Sequence, residues 1–240
     1  VTSYSGMKQQ APTTPMPISP AKDVNDSPMD DVQDLQLEQH LAKDLPGGKH
    51  MGRFLHEVIE ELDFKKLIAQ AYPDWARDEQ VQWAFEKTMR RHDIDPKWLS
   101  DSQGLIYRAL SQSLPLGTAF LPPLASLRCL REMEFIFPIP EHGHPLLNGT
   151  EGANQSWTVD RGLVKGFIDL IFEYKERYFW LDWKSDRLSQ YVASSLHNHV
   201  QTNYAIQARL YTIGMVRVLG IKTLEDYERR FGGYLYLFLR

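Results

Sequence analysis

The chain has 240 residues, 42% of them hydrophobic, a single cysteine and a formal net charge of −4. One thiol excludes an intrachain disulfide, a four-cysteine zinc site and an iron–sulfur cluster held by four cysteines, and points to a reducing compartment. No apolar run approaches the length of a membrane span, no signal pattern precedes the fold, and the charge is not the strongly basic one typical of nucleic-acid binders. The charge is unevenly spread. Three of the 27 basic and seven of the 31 acidic residues fall within residues 1–48, which leaves the remainder neutral.

Residues 1–46 carry Pro12, Pro15, Pro17, Pro20, Pro28 and Pro46 among small and acidic residues. Such a stretch buries too little apolar area to offset its ordering entropy, so it reads as a flexible acidic linker with a short helix near 32–45. The opening Val1-Thr-Ser-Tyr-Ser, without an initiator Met, reads as an interior cut of a longer polypeptide.

A folded domain is expected over 47–240. Leu55, Val58, Ile59 and Leu62 recur at helical spacing, and two further helices are expected over 78–92 and 96–113, the second opening on Pro96. The period then changes. Glu132-Met-Glu-Phe-Ile-Phe-Pro reads as a strand, and Leu163–Tyr174 with Arg177–Lys184 as a hairpin turning at Lys175-Glu176. Residues 189–219 return to a helical pattern. Phe231–Leu239 is nearly all apolar, as an interior strand would be. This order predicts a mixed α/β (α+β) domain with a central mixed sheet flanked by helices. There is no GxxxxGK[ST] run, hence no ATP site of that kind.

Asp169 and the trio Asp182-Trp183-Lys184 interrupt otherwise apolar strands. Alternate strand residues share a face, so Asp182 and Lys184 point the same way. A two-residue turn at Lys175-Glu176 opposes Asp169 to Asp182, whereas a three- or five-residue loop separates them. Adjacent anionic carboxylates repel unless a divalent cation lies between them. Lys184 would flank such a site, stabilising developing phosphorane charge or holding the attacking water. Asp-x-Lys alone reads as a solvated strand edge. Gly-x-Ile-Asp followed at this spacing by Asp-x-Lys within an apolar hairpin reads as a metal site.

Taken with Gly52-Arg-Phe-Leu-His56, Glu132-Met-Glu-Phe and Gln207-Ala-Arg-Leu-Tyr211, these motifs resemble the PD-(D/E)XK nuclease superfamily, and within it the RecB-type branch. The resemblance implies a restriction-endonuclease-like fold and a Mg²⁺-dependent deoxyribonuclease of the exodeoxyribonuclease V type. In such an enzyme Mn²⁺ substitutes for Mg²⁺ and Ca²⁺ binds without efficient cleavage. It implies metal ligation by His56, Asp169, Asp182 and the Trp183 carbonyl, and catalytic roles for Lys184, Asp169, Asp182 and Glu132, with Glu134 an alternative to Glu132. Gln207 and Tyr211 would lie beside the bound DNA. The implied substrate is DNA, single strands preferred. The implied partners are RecC, RecD and RecA, with no membrane, in a bacterial cytoplasm. Domains of this branch continue past the Phe-Gly-Gly strand, so the chain is expected to be C-terminally truncated. An inert binding module of the same fold, or a stand-alone restriction or CRISPR-associated nuclease, are the alternatives. Intact Asp169, Asp182 and Lys184 weigh against the first, and the long linker against the second.

Overall fold

The computed structural model describes residues 45–138 and 163–240. The expected linker, up to residue 44, and its short helix lie outside these residues. Leu45 is fully buried in the main core, and Arg240 donates to the Leu45 and Pro46 carbonyls at 2.6 and 2.5 Å.

An N-terminal helical layer comes first: α1 (Lys49–Glu61), α2 (Phe64–Ala69), α3 (Tyr72–Arg77), α4 (Glu79–Arg91) and α5 (Leu99–Ser111). In α1 the residues Met51, Phe54, Leu55, Val58 and Ile59 form one buried stripe, as helical periodicity requires. Asp63 caps α2 and Asp78 caps α4, each accepting first-turn backbone N–H groups. The α5 helix follows a short 3₁₀ turn at Pro96–Trp98. The sequence pattern did not reveal α2 or α3, or the small hairpin of β1 (Leu114–Leu116) and β2 (Ala119–Leu121).

The central sheet contains β3 (Cys129–Pro138), β4 (Leu163–Tyr174), β5 (Arg177–Lys184) and β6 (Phe231–Phe238) in that spatial order. The middle strand β4 runs antiparallel to both β3 and β5, and β6 joins β5 in parallel, so the sheet is mixed as expected. A 26-residue helix, α6 (Ala193–Val218), and a short α7 (Leu224–Arg230) separate β5 from β6. The hairpin turns where expected. Lys175 and Glu176 both have positive φ, 50° and 61°, the conformation a two-residue turn needs to match strand twist.

The sheet has a core on each side. One unites the N-terminal helices with Leu170, Phe172, Phe179, Leu181 and Trp183. The other unites α6 with Met133, Phe135, Phe137, Ile168 and Trp180. Gly166 faces Phe135 across the β3–β4 pair, and a Cβ there would lie 2.5 Å from the Phe135 ring. Glycine is thus what admits that ring.

Candidate metal centre

The two strands of the main hairpin and the edge strand β3 bring three carboxylates into one row. Pairing of β4 with β5 runs from Tyr174↔Arg177 to Leu170↔Leu181, which makes Asp169 and Asp182 the next opposed positions. Pairing of β3 with β4 flanks Glu132 and Asp169 on both sides, Arg131↔Leu170 and Met133↔Ile168. The row is where the regular sheet gives way. Glu132 has φ 49°, a left-handed conformation that costs a non-glycine residue on the order of 1–3 kcal/mol and persists only where surroundings enforce it.

That inversion reverses the faces of β3. Arg131 donates to the Ile59 and Leu62 carbonyls on the helical side. Met133 and Phe135, two and four residues on, pack on the α6 side. Regular alternation would put all three on one face. The strand therefore turns over at Glu132, and its carboxylate opens toward Asp169. Glu134, expected to share a face with Glu132, is instead half-exposed and paired with Lys165 at 2.7 Å. Glu134 lies apart from the cleft residues.

Asp169 and Asp182 are both nearly buried. The Trp183 backbone N–H, which a continuing ladder would give to β4 backbone, donates to Asp169 Oδ2 at 2.8 Å. His56 Nδ1 reaches the same oxygen from α1 at 3.4 Å. Asp182 accepts from Gln207 Nε2 through Oδ1 at 2.8 Å. Lys184 Nζ lies 2.6 Å from Asp182 Oδ2 and donates to Gln207 Oε1 at 2.9 Å. Asp182 and Lys184 thus share a face, as alternation required, and that face looks onto α6.

The electrostatics are those of a site short of positive charge. Burial first, then the neighbouring Asp182, raises the Asp169 carboxyl well above the ordinary carboxylate range. Burial also raises Asp182, against the opposing pull of Lys184. Burial, with Glu60 and Asp182 nearby, pushes Glu132 up to about 7. Burial lowers His56, favouring the neutral imidazole that a metal ligand must be.

Tyr211 and Gln207 stand one turn apart on α6, but neither lies on an open surface. Gln207 is buried between Asp182 and Lys184. The Tyr211 ring packs edge-on against Phe135 and Trp180, each at 5.5 Å, and burial raises its phenol. Sequence reading missed Tyr204, whose ring centroid lies 3.9 Å from Lys184 Nζ. It also missed Asp186, which accepts from the Tyr204 hydroxyl at 2.8 Å. Tyr204 precedes Gln207 by three and Tyr211 by seven residues, a helical-face spacing that was available to find it.

Beside this cluster is an open cleft of about 660 Å³, lined in part by Arg53, His56, Glu60, Arg91, Glu132 and Asp169. Among the described residues no three His, Cys, Asp or Glu side chains are gathered closely enough to enclose an ion. The donor set nevertheless fits one. Asp182 Oδ2 is buried and takes no hydrogen bond of good geometry, although the Lys184 ammonium is close. Two further carboxylates held above their ordinary titration range share the row. Oxygen donors with one imidazole suit a small divalent cation.

A four-stranded mixed sheet between helical layers, with Asp169 midway along one hairpin strand and Asp-x-Lys closing the other, defines a class. The chain belongs to the PD-(D/E)XK nuclease superfamily, whose pattern matches residues 33–238. It is 31% identical to the RecBCD enzyme subunit RecB of Escherichia coli (strain K12), over all of this chain and 20% of that protein. Against the Haemophilus influenzae RecBCD enzyme subunit RecB the identity is also 31%, over 82% of this chain and 16% of that protein. The Borreliella burgdorferi RecBCD enzyme subunit RecB is 27% identical over 86% of this chain and 18% of that protein. The chain spans about a fifth or less of the length of these relatives. Among the described residues no helix is long and apolar enough to cross a membrane.

Proposed function

We propose that this chain hydrolyses DNA phosphodiester bonds with Mg²⁺, prefers single strands, and serves as the nuclease domain of a RecB-type helicase–nuclease in double-strand-break repair and recombination. The observation that carries this is the row of a partly buried Glu132 and the nearly buried Asp169 and Asp182, with Lys184 on Asp182 and an open cleft alongside. Oxygens buried against their electrostatic interest need a reason, and metal binding is one.

Asp169, Asp182, His56, Glu132 and the Trp183 carbonyl would hold the ion, which when bound supplies Lewis-acid polarisation and a more acidic water. The chain's own residues do the rest. Lys184 offsets charge developing on the phosphate and orients the attacking water. Gln207 fixes Lys184 relative to Asp182, so ammonium and carboxylate cannot drift apart. Gln207 and Tyr211 would act on a bound strand from below, by supporting Lys184 and Asp182 rather than by facing the strand themselves, with Tyr211 wedged by Phe135 and Trp180.

The likeness to RecBCD enzyme subunits supports RecC and RecD as partners; RecA as a further partner and a bacterial cytoplasmic setting belong to the same proposal. The test is cleavage of end-labelled single- and double-stranded DNA with Mg²⁺, Mn²⁺, Ca²⁺ or excess chelator. Cleavage is expected with the first two, little with Ca²⁺, and none with chelator. Undiminished hydrolysis in chelator refutes the reading.

A further inference from the structure

Lys184 is caged by more than the residues that its motif supplies. Its side chain is only 12% exposed. On one side stand Asp182 and the Gln207 amide oxygen. On the other is the Tyr204 ring, 3.9 Å from Nζ to centroid, with the Tyr236 ring at 5.2 Å. The two rings stack on each other at 5.3 Å and 29°. The Tyr236 hydroxyl bridges the Tyr204 carbonyl and Gln207 Oε1, at 3.2 and 3.3 Å.

Tyr204 is itself anchored. Its hydroxyl lies 2.8 Å from both carboxylate oxygens of Asp186, a shared donation. His199 approaches the same carboxylate at 3.4 Å, and the Asp186 carbonyl accepts from the Tyr191 hydroxyl at 2.9 Å. Asp186 lies two residues past the end of β5. The anchor therefore fastens the segment leaving the Asp-x-Lys strand to the helix opposite it.

A ring face suits this position for a chemical reason. A carbonyl or hydroxyl there would engage an ammonium proton through a lone pair and compete with an incoming phosphate oxygen. A π face attracts the whole cation without engaging a particular proton. Gln207 takes one N–H of the ammonium and Asp182 attracts it by charge, so the ring adds attraction without adding a competing acceptor. The long lysine stem is immobilised before substrate arrives, which lowers the entropy lost on reaching the transition state.

We infer that Tyr204, fixed by Asp186 and Tyr236, is the positioning residue for Lys184, holding its ammonium against Asp182 in the orientation that meets the scissile phosphate. The inference rests on the nuclease reading above for its chemical half and on the aromatic cage alone for its structural half.

The test uses the full 240-residue chain with Tyr204→Leu and Tyr204→Phe. One readout is single-turnover cleavage of end-labelled single-stranded DNA at saturating DNA and Mg²⁺. The other needs no activity: the ε-CH₂ signal of Lys184 in ¹³C-lysine spectra, assigned by its disappearance in Lys184→Gln. Ring current should move that signal upfield in the parent protein. Tyr204→Leu should remove most of the upfield shift, leaving the smaller part due to the more distant Tyr236 ring. It should slow cleavage by roughly thirtyfold, the size of one desolvated cation–π contact, with Mg²⁺ half-saturation and KM for DNA unchanged. Tyr204→Phe should keep the shift and lose a smaller factor in rate, since it loses only the Asp186 tether. An unshifted Lys184 signal in the parent, or parental cleavage by Tyr204→Leu, overturns the inference. If Tyr204→Leu fails to fold by circular dichroism, Tyr204→Phe and Asp186→Asn decide it, both being expected to slow cleavage without changing KM. A parent chain that cleaves no DNA refutes the nuclease reading instead, and the shift alone then decides whether the cage exists.

Discussion

Lys184 donates to the amide oxygen of Gln207 at 2.9 Å, and that bond dictates that the amide nitrogen faces Asp182. Gln207 thus matches a cation at one end and an anion at the other, a polarity that its neutral, two-ended side chain supplies. Gln207→Glu puts a carboxylate against Asp182. We expect it to destabilise the metal-free protein by about 1–3 kcal/mol, the cost of an unsatisfied buried group, and to slow cleavage more than Gln207→Met. Urea unfolding and single-turnover cleavage check this. Equal stability of the Glu and Met variants would mean that the amide is not oriented as described.

Asp182→Ala separates chemistry from folding. It removes a donor from the row but also relieves the repulsion that raises Asp169. Thermal stability without metal should change little, because that relief is offset by the loss of the buried partner of Lys184 and Gln207, while cleavage falls by orders of magnitude. Lys184→Gln should abolish turnover yet leave metal binding, read by calorimetry, near that of the parent. Near-parental cleavage by either variant would refute the site.

Stability should depend on pH with a definite sign. Glu132, Asp169 and Asp182 all have folded-state pKa values above their ordinary ones. The folded protein therefore binds more protons than the unfolded chain between the ordinary carboxylate range and about 7, the value for Glu132. Their contribution to the unfolding free energy falls as pH rises through that window, while the opposing contribution of His56, whose pKa is lowered, is largely complete by about pH 6.5. The metal-free Tm should be higher at about pH 6 than at about pH 8, and saturating Mg²⁺ should shrink the difference. A metal-free Tm that rises across that interval counts against buried, mutually repelling carboxylates.

The hairpin turn offers a test far from the chemistry. Lys175 and Glu176 both occupy the left-handed region, where side chains are strained and Asn-Gly is favoured. Lys175→Asn with Glu176→Gly should stabilise the protein by about 0.5–1 kcal/mol per residue relieved and leave the Mg²⁺ dependence of cleavage as it was. Destabilisation would indicate a different loop and a different register.

The hairpin and its register were legible because a polar pair between two apolar runs leaves few ways to close, and closure fixes every cross-strand partner. The stripe of α1 and the long helix α6 were legible from periodicity. The six-residue helices α2 and α3 are too short to display a period. The reversal at Glu132 was invisible for another reason. Alternation places Glu132 and Glu134 on one face, and nothing in glutamate's own preferences announces a positive φ; the surrounding fold imposes it. The role of Asp186 was hidden because its partner Tyr204 is 18 residues away on α6.

The turn-over of β3 at Glu132 also has a mechanical meaning. Arg131 belongs to the helical layer and Met133 to the α6 layer, so the carboxylate row lies on the seam between two separately packed halves. His56 reaches it from one half and Gln207 from the other. An ion seated there would act as a rivet. The free energy of its binding would tighten both halves at once, and backbone amides in α1 and α6 would slow their exchange with solvent together.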